Sequence, residues 1–181
     1  MTTWAPPFVP VFPAGYGPQA ADFDTWWFQN AGFLQNRVVF RASQTTTATT
    51  LPDSGAVTAI GYDNVIEDPY SGWDSGTFLW GPPSGYSGWY QVTITVRTAT
   101  LAELVNLRPA ITGSWDYSLT CVQGSSSGTG GGVSATYTVY LVGGQDSAGA
   151  GCQLLNSGSA VDTELTAGQN STLEIVWISQ S

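Results

Sequence analysis

Hydrophobic and polar residues alternate most cleanly between Trp89 and Arg97. Trp89, Gln91, Thr93, Thr95 and Arg97 point one way, and Tyr90, Val92, Ile94 and Val96 the other. A period of two with one apolar side predicts a half-buried strand, and the Pro/Gly/Ser stretch from Pro82 to Gly88 supplies the turn before it. A single strand is not stable, so the remaining segments must pair with it and cover it. Arg37 to Gln44 alternates in the same way, with Val38, Phe40 and Ala42 against Val39, Arg41 and Ser43. A Thr-rich edge then leads to the turn Pro52-Asp53-Ser54-Gly55.

Ala56 to Tyr62 predicts a second strand, and Thr77 to Trp80 a short one after a loop through Glu67, Asp68, Tyr70, Gly72, Trp73 and Asp74. Leu101 to Leu107 has a short helix-like spacing that Pro109 stops. Ile111 to Val122 predicts a strand with Trp115, Tyr117, Leu119 and Cys121 on one side, and Gly124 to Gly132 a Ser/Gly loop. Ala135 to Val142, Gly151 to Ser157 and Ser171 to Ile178 complete about eight β segments. Many short strands joined by glycine-rich turns predict an all-β sandwich or jelly roll over residues 37–181.

The first 36 residues differ. Residues 1–18 place five prolines among Trp4, Phe8, Val9, Phe12 and Tyr16. Proline fixes φ and removes donors, which predicts an extended arm. So many large apolar side chains imply that the arm packs on its own domain or docks on a neighbour, and the neighbour is favoured. Residues 19–36 predict one short helix, with Asp22 and Asp24 in its first turn, where they suit the dipole. Phe23, Trp26, Trp27, Asn30, Phe33 and Leu34 recur at spacings of three and four, an apolar stripe too broad for one short helix to hide. It meets either the chain's own β domain or copies of itself, with Asn30 as a polar register residue.

Composition narrows the function. Only 9% of residues are charged while 13% are aromatic, and Thr, Ser, Gly and Asn fill the polar positions, as suits β structure with many turns. Thirteen acids against Arg37, Arg41, Arg97 and Arg108 give a net charge of −9 with no lysine. Nucleic-acid binding has no cations to replace phosphate counterions, and a polybasic membrane contact fails for the same reason. No secretory signal is visible in the first thirty residues and no run reaches the length of a membrane span, so the chain is expected to be made in a cytoplasm and to stay soluble or be assembled.

The chain has no histidine, which removes imidazole bases, Ser-His and Cys-His nucleophiles and the usual zinc and iron sites. There is no Schiff-base lysine and no phosphate loop. Glu67, Asp68 and Asp74 beside Tyr70, Trp73 and Trp80 form the one conceivable carboxylate site, but a loop fixes no separation between such a pair. No calcium-loop spacing occurs. No enzyme activity and no cofactor are therefore expected. Tyr70, Trp73, Trp80 and Tyr86, with Trp89, suit stacking on sugar rings if exposed, or packing at subunit seams, the favoured use.

In order, these segments resemble the C1q/TNF-like trimeric jelly roll. Trp89-Tyr90-Gln91-Val92 after its turn resembles that family's Gly-x-Tyr-x-Val strand, and Tyr137 to Gly144 its x-Leu-x-Ala-Gly-Asp strand and turn, with Gly144-Gln145 in place of the usual acid. Gln153 to Gly158 resembles the Val-x-Gln-Asn-Ser-Gly strand, and Ser171 to Ile178 the terminal strand that closes the fold. The front half is similar to actinobacterial phage structural proteins at Ala14-Gly15, Ala20 to Asp24, Phe33-Leu34 and Arg37 to Arg41.

The resemblance implies a homotrimeric virion protein, made in the host cytoplasm. It would be a minor tail (tail-tip or fibre) protein whose arm (Trp4, Phe8, Val9, Phe12, Tyr16) docks on another phage structural protein and whose helices (Phe23, Trp26, Trp27, Asn30, Phe33, Leu34) meet at one end of the trimer. A capsid decoration or head-fibre trimer and a glycan-binding receptor module are the alternatives. The loops Pro69 to Gly88 and Gly124 to Gly132 would face outward, with Tyr70, Trp73, Trp80 and Tyr86 as distal glycan contacts. Cys121 and Cys152 would lie on strands separated by another, and both would be free.

Overall fold

The computed structural model describes residues 39–99, 104–115, 121–123, 131–155, 159–168 and 170–179. The predicted arm (1–18) and helix (19–36), with every contact residue assigned to them, lie outside the described residues. Among the described residues there are fourteen strands: β1 (Val39–Ser43), β2 (Thr50–Leu51), β3 (Val57–Ala59), β4 (Asn64–Glu67), β5 (Trp73–Asp74), β6 (Leu79–Trp80) and β7 (Gly88–Thr98), then β8 (Leu104–Ile111), β9 (Ser114–Trp115), β10 (Cys121–Gln123), β11 (Gly131–Leu141), β12 (Ala148–Leu155), β13 (Val161–Asp162) and β14 (Thr172–Ser179).

They form two facing sheets. One has the order β11-β7-β14-β1-β4; the other runs β10-β8-β12-β6-β5, with β3 added beside β12 and β9 beside β8. Every pairing is antiparallel, and a short β2/β13 ribbon lies apart. The first and last strands are neighbours, Val39 opposite Val176 and Ser43 opposite Thr172. The terminal strand therefore closes the sandwich, as the jelly-roll pattern requires.

Alternation in β7 decides which side is core. Tyr90, Val92, Ile94 and Val96 are fully buried and meet Leu173, Ile175 and Trp177 of β14, Phe40 and Ala42 of β1, and Tyr137, Val139 and Leu141 of β11. Val105, Leu107, Ala150, Cys152 and Leu154 of the other sheet close the core from the far side. Each such aliphatic side chain contributes about 1.5–3 kcal/mol on leaving water, which is why the register holds.

Several predicted boundaries change. The helix-like stretch before Pro109 continues as strand β8, paired along its length with β12. Pro109 is tolerated because, on β8's other side, β10 stops at Leu107 and β9 begins at Ala110. The single strand expected over Ile111 to Val122 is broken by a two-residue turn, Thr112 and Gly113, whose φ values of 48° and 75° are those of a tight hairpin. The loop after Tyr62 contains β4 and β5.

Leu107 settles the cysteines. It is opposite Cys121 on one side and Cys152 on the other, so the two lie two strand spacings apart, about 9.6 Å. No disulfide spans that distance. Cys152 is a free, buried thiol that burial pushes up to about 12.

Candidate assembly surface

The inner side of the β11-β7-β14-β1-β4 sheet is core; its other side is the surface in question. The register sets its side chains in rows. Tyr140 and Trp89 stand side by side next to Ser179, followed by Thr138, Gln91, Val176 and Val39. Next come Thr136, Thr93, Glu174 and Arg41, then Ser134, Thr95, Thr172 and Ser43. Hydroxyl pairs cross the strands at Thr93–Thr136 (3.1 Å) and Thr95–Ser134 (3.0 Å). Arg41 donates from Nη2 and Nε to Glu174 Oε1 at 2.9 and 3.2 Å, which raises the guanidinium pKa.

Across β11, β7 and β14 the surface is thus hydroxyl-rich at one end and apolar at the other. The exposed large apolar side chains among the described residues are Val65 (43% exposed), Ile66 (63%), Trp89 (44%) and Ile178 (46%), and all four belong to strands of this sheet. Ile178 alternates with buried Trp177, and Trp89 meets Tyr140 edge-on with ring centres 5.6 Å apart. Trp89, Tyr140 and Ile178 are grouped at one end, with Val65 and Ile66 apart on edge strand β4, and monomeric domains seldom leave such a group in the open.

The proposed ring platforms sit elsewhere. Trp80 is fully buried, so it has no face to offer a sugar. Trp73 stacks on Phe40 at 5.0 Å, Phe40 on Trp80 at 5.9 Å, and Trp80 meets Tyr90 at 5.8 Å. Tyr90 stacks on Trp177, which meets Tyr86, which meets Tyr70 at 5.2 Å. Tyr70, Trp73 and Tyr86 are half-buried against the core as part of one continuous run of rings within a single chain. The Tyr70 hydroxyl is pushed up to about 12 by burial and by its hydrogen bond with Tyr86.

The register also places the ends of these strands. β7 starts at Gly88, beside Ser179, and ends at Thr98, opposite Gly131. The turn before Gly88, with Tyr86, therefore lies at the end of the sandwich where β1 begins, and Gly131 lies at the opposite end.

The acids near these rings build turns. Asp68 accepts hydrogen bonds from the amides of Gly72 (3.0 Å) and Trp73 (2.9 Å) and from Trp80 Nε1 (3.2 Å). Asp74 accepts from the Gly76 amide and the Thr77 hydroxyl, both at 2.8 Å, which lowers its pKa. Glu67 lies on exposed β4, one strand from Glu174. An open groove of about 450 Å³ has Asp74 and Asp146 in its wall. Asp146 accepts from the Val142 amide (2.8 Å) and Thr112 Oγ1 (3.1 Å), so both carboxylates brace backbone. Among the described residues, no group of three metal-ligating side chains occurs.

Sequence reasoning found the outward side of β7. It missed Val65 and Ile66, hidden in what reads as a loop, and the Arg41–Glu174 pair, whose members are 133 residues apart. The only local signal for the first was the Val-Ile pair inside Asn64–Glu67.

No protein-family model matches the chain, and no curated protein matches it. Solved structures do. Murine APRIL at pH 5.0 superposes with a TM-score of 0.57 at 12% identity, covering 79% of this chain and 100% of that one. The globular domain of zebrafish complement 1qA gives 0.53 at 9% identity, over 79% and 98%. The vertex protein P5 of PRD1 gives 0.53 at 17% identity, over 79% and 99%. At these identities the likeness is one of fold, and the fold is the all-β TNF/C1q-like jelly roll.

Proposed function

We propose that this chain is a non-enzymatic virion structural protein that works as a homotrimer, with the β11-β7-β14-β1-β4 sheets turned towards the threefold axis. The observation that carries this reading is the sheet's outer surface: rows of small hydroxyl side chains, with Trp89 and Ile178 left in the open at one end. Small polar residues let copies approach closely, and removing the sheet's outer surface from water between copies supplies the driving force for association. The fold is shared with the vertex protein P5 of PRD1, which supports a place in a viral particle.

In this reading the protein is a minor tail protein made in the host cytoplasm. Its arm (Trp4, Phe8, Val9, Phe12, Tyr16) docks on another structural protein, and the 19–36 segments gather at one end of the trimer. Three arms on one body give multivalent attachment with no single strong contact. A capsid decoration trimer differs only in what the arm meets.

Light scattering on the full-length chain tests the assembly, with three times the 19.1 kDa chain mass expected. Thr93→Arg, in the middle of the hydroxyl rows, is expected to leave a folded monomer with an unchanged far-ultraviolet spectrum. A wild-type monomer at micromolar concentration would sink the proposal. Gold-labelled antibody on purified particles then separates tail from head.

A further inference from the structure

We infer that the apolar end of this sheet, formed by Trp89, Tyr140 and Ile178, is the seat of Phe33 and Leu34 of the same chain. The described chain begins at Val39, opposite Val176, and Val176 is two residues before Ile178 on β14. β1 runs from Val39 away from Trp89 and Tyr140, so the polypeptide preceding it emerges at the apolar end and at no other. Trp89 and Ile178 are 44% and 46% exposed, while the opposite end of the same surface carries Thr95, Ser134 and Thr172. An apolar cover is therefore matched where Trp89, Tyr140 and Ile178 stand together, apart from Val65 and Ile66 on edge strand β4.

The reach suffices within one chain. Leu34 is five residues before Val39, a span of up to about 17 Å when extended. From β1 across β14 to β7 is two strand spacings, about 9.6 Å. Among the described residues, the charges of this surface nearest the patch, Arg41 and Glu174, are paired with each other and lie nearer the hydroxyl end. Phe33 and Leu34 close the apolar stripe nearest β1, which leaves Phe23, Trp26, Trp27 and Asn30 for contacts between copies. The seat exists whether the chain is one copy or three.

The test is cysteine cross-linking in the full-length protein. Leu34→Cys with Ile178→Cys is made in a Cys121→Ser background, where the remaining native thiol, Cys152, is buried. With oxidised glutathione, a disulfide within one chain is expected, read as a single-chain band on a non-reducing gel and a mass two hydrogens lower. Leu34→Cys with Thr172→Cys, at the hydroxyl end, is expected to stay reduced. A disulfide between chains, no disulfide, or equal linking in the two pairs overturns the inference.

A second measurement needs no engineered thiol. Ile178→Asp in the native sequence is expected to raise amide exchange over residues 30–36 at least tenfold while β8 and β12 keep their protection. Unchanged exchange over 30–36 overturns the inference. Molar mass is read on the same samples. A monomer that cross-links refutes the trimer and keeps the seat, and a trimer that does not refutes the seat and keeps the trimer.

Discussion

The indole of Trp80 donates to Asp68 Oδ1 at 3.2 Å. The two side chains come from the segment in which both a carboxylate site and a sugar platform were conceivable, and each engages the other. Asp68 also holds the amides of Gly72 and Trp73. It thereby fixes the tight approach of Gly72 to Trp80 and the stacking of Trp73 on Phe40. Asp68→Ala strands three donors, with an expected loss of about 2–4 kcal/mol. The urea midpoint checks it, and Asp68→Asn should lose less, because one oxygen still accepts.

Asp63 predicts the acid limit of the fold. Burial pulls its carboxyl upward, but the Thr46 hydroxyl and the amides of Thr45, Thr46 and Thr47 outweigh that and hold it well below the usual carboxylate range. A lowered folded-state pKa means that the unfolded chain binds the proton first. Its stabilisation is complete above the unfolded value, about pH 4, and is lost as pH falls through the folded value. Wild-type stability should fall with acidification from about pH 5, and Asp63→Asn should flatten that slope in denaturant titrations. Most of this carboxylate faces solvent, so the difference near pH 7 should stay at about 1–2 kcal/mol.

Gly88 admits no side chain. A Cβ there would run into the Ser179 carbonyl and Trp177 Nε1, which hydrogen-bond to each other at 3.0 Å. Gly88→Ala should therefore part β7 from β14 at the apolar end and cost about 1–3 kcal/mol. Thermal unfolding checks the loss, and added indole exposure in fluorescence locates it.

Arg41→Ala should do little to the isolated chain. The pair with Glu174 has side chains 51% and 39% exposed, and exposed ion pairs contribute at most about 1 kcal/mol. If the sheet faces the trimer axis, the same change is felt in association. Sedimentation at low and high salt should show a larger shift in trimer dissociation than in monomer unfolding.

Cys152 should be inert in the folded protein, since burial pushes its thiol up to about 12 and the thiolate is the reactive form. In the Cys121→Ser background a thiol reagent should label it only as fast as the protein unfolds. Rapid native labelling would show that the core opens locally at β12.

What was legible follows from which strands are half-buried. β1, β7 and β14 bury one side and expose the other, so alternation announces them. β8 does not alternate in exposure: Asn106 is as buried as Val105 and Leu107, and Arg108 reaches Gln153, which reaches the Gly55 carbonyl. Its polar side chains face a covered surface, and Pro109 argues against a strand unless the gap between β10 and β9 is known. β12 opens with Ala-Gly-Ala-Gly because a Cβ on Gly149 would meet the Phe78 carbonyl at 2.6 Å and Leu79 Cδ2 at 2.7 Å. Close packing there erases the hydrophobic signal by which strands are recognised. The outward side of β7 was legible, but Ile66 was not, because four residues are too few for a period to register.

The adjacency of β1 and β14 has a mechanical result. Val39 and Ser179 lie at the same pole, on neighbouring strands that are hydrogen-bonded along their length. Pulling on both ends at once would load the ladder like a zipper, rung by rung from that pole, and it would yield at low force. Pulling one end against the Gly131 pole would shear all the rungs together and meet far greater resistance. A load-bearing attachment is therefore best made through one terminus, with the pull taken along the strands.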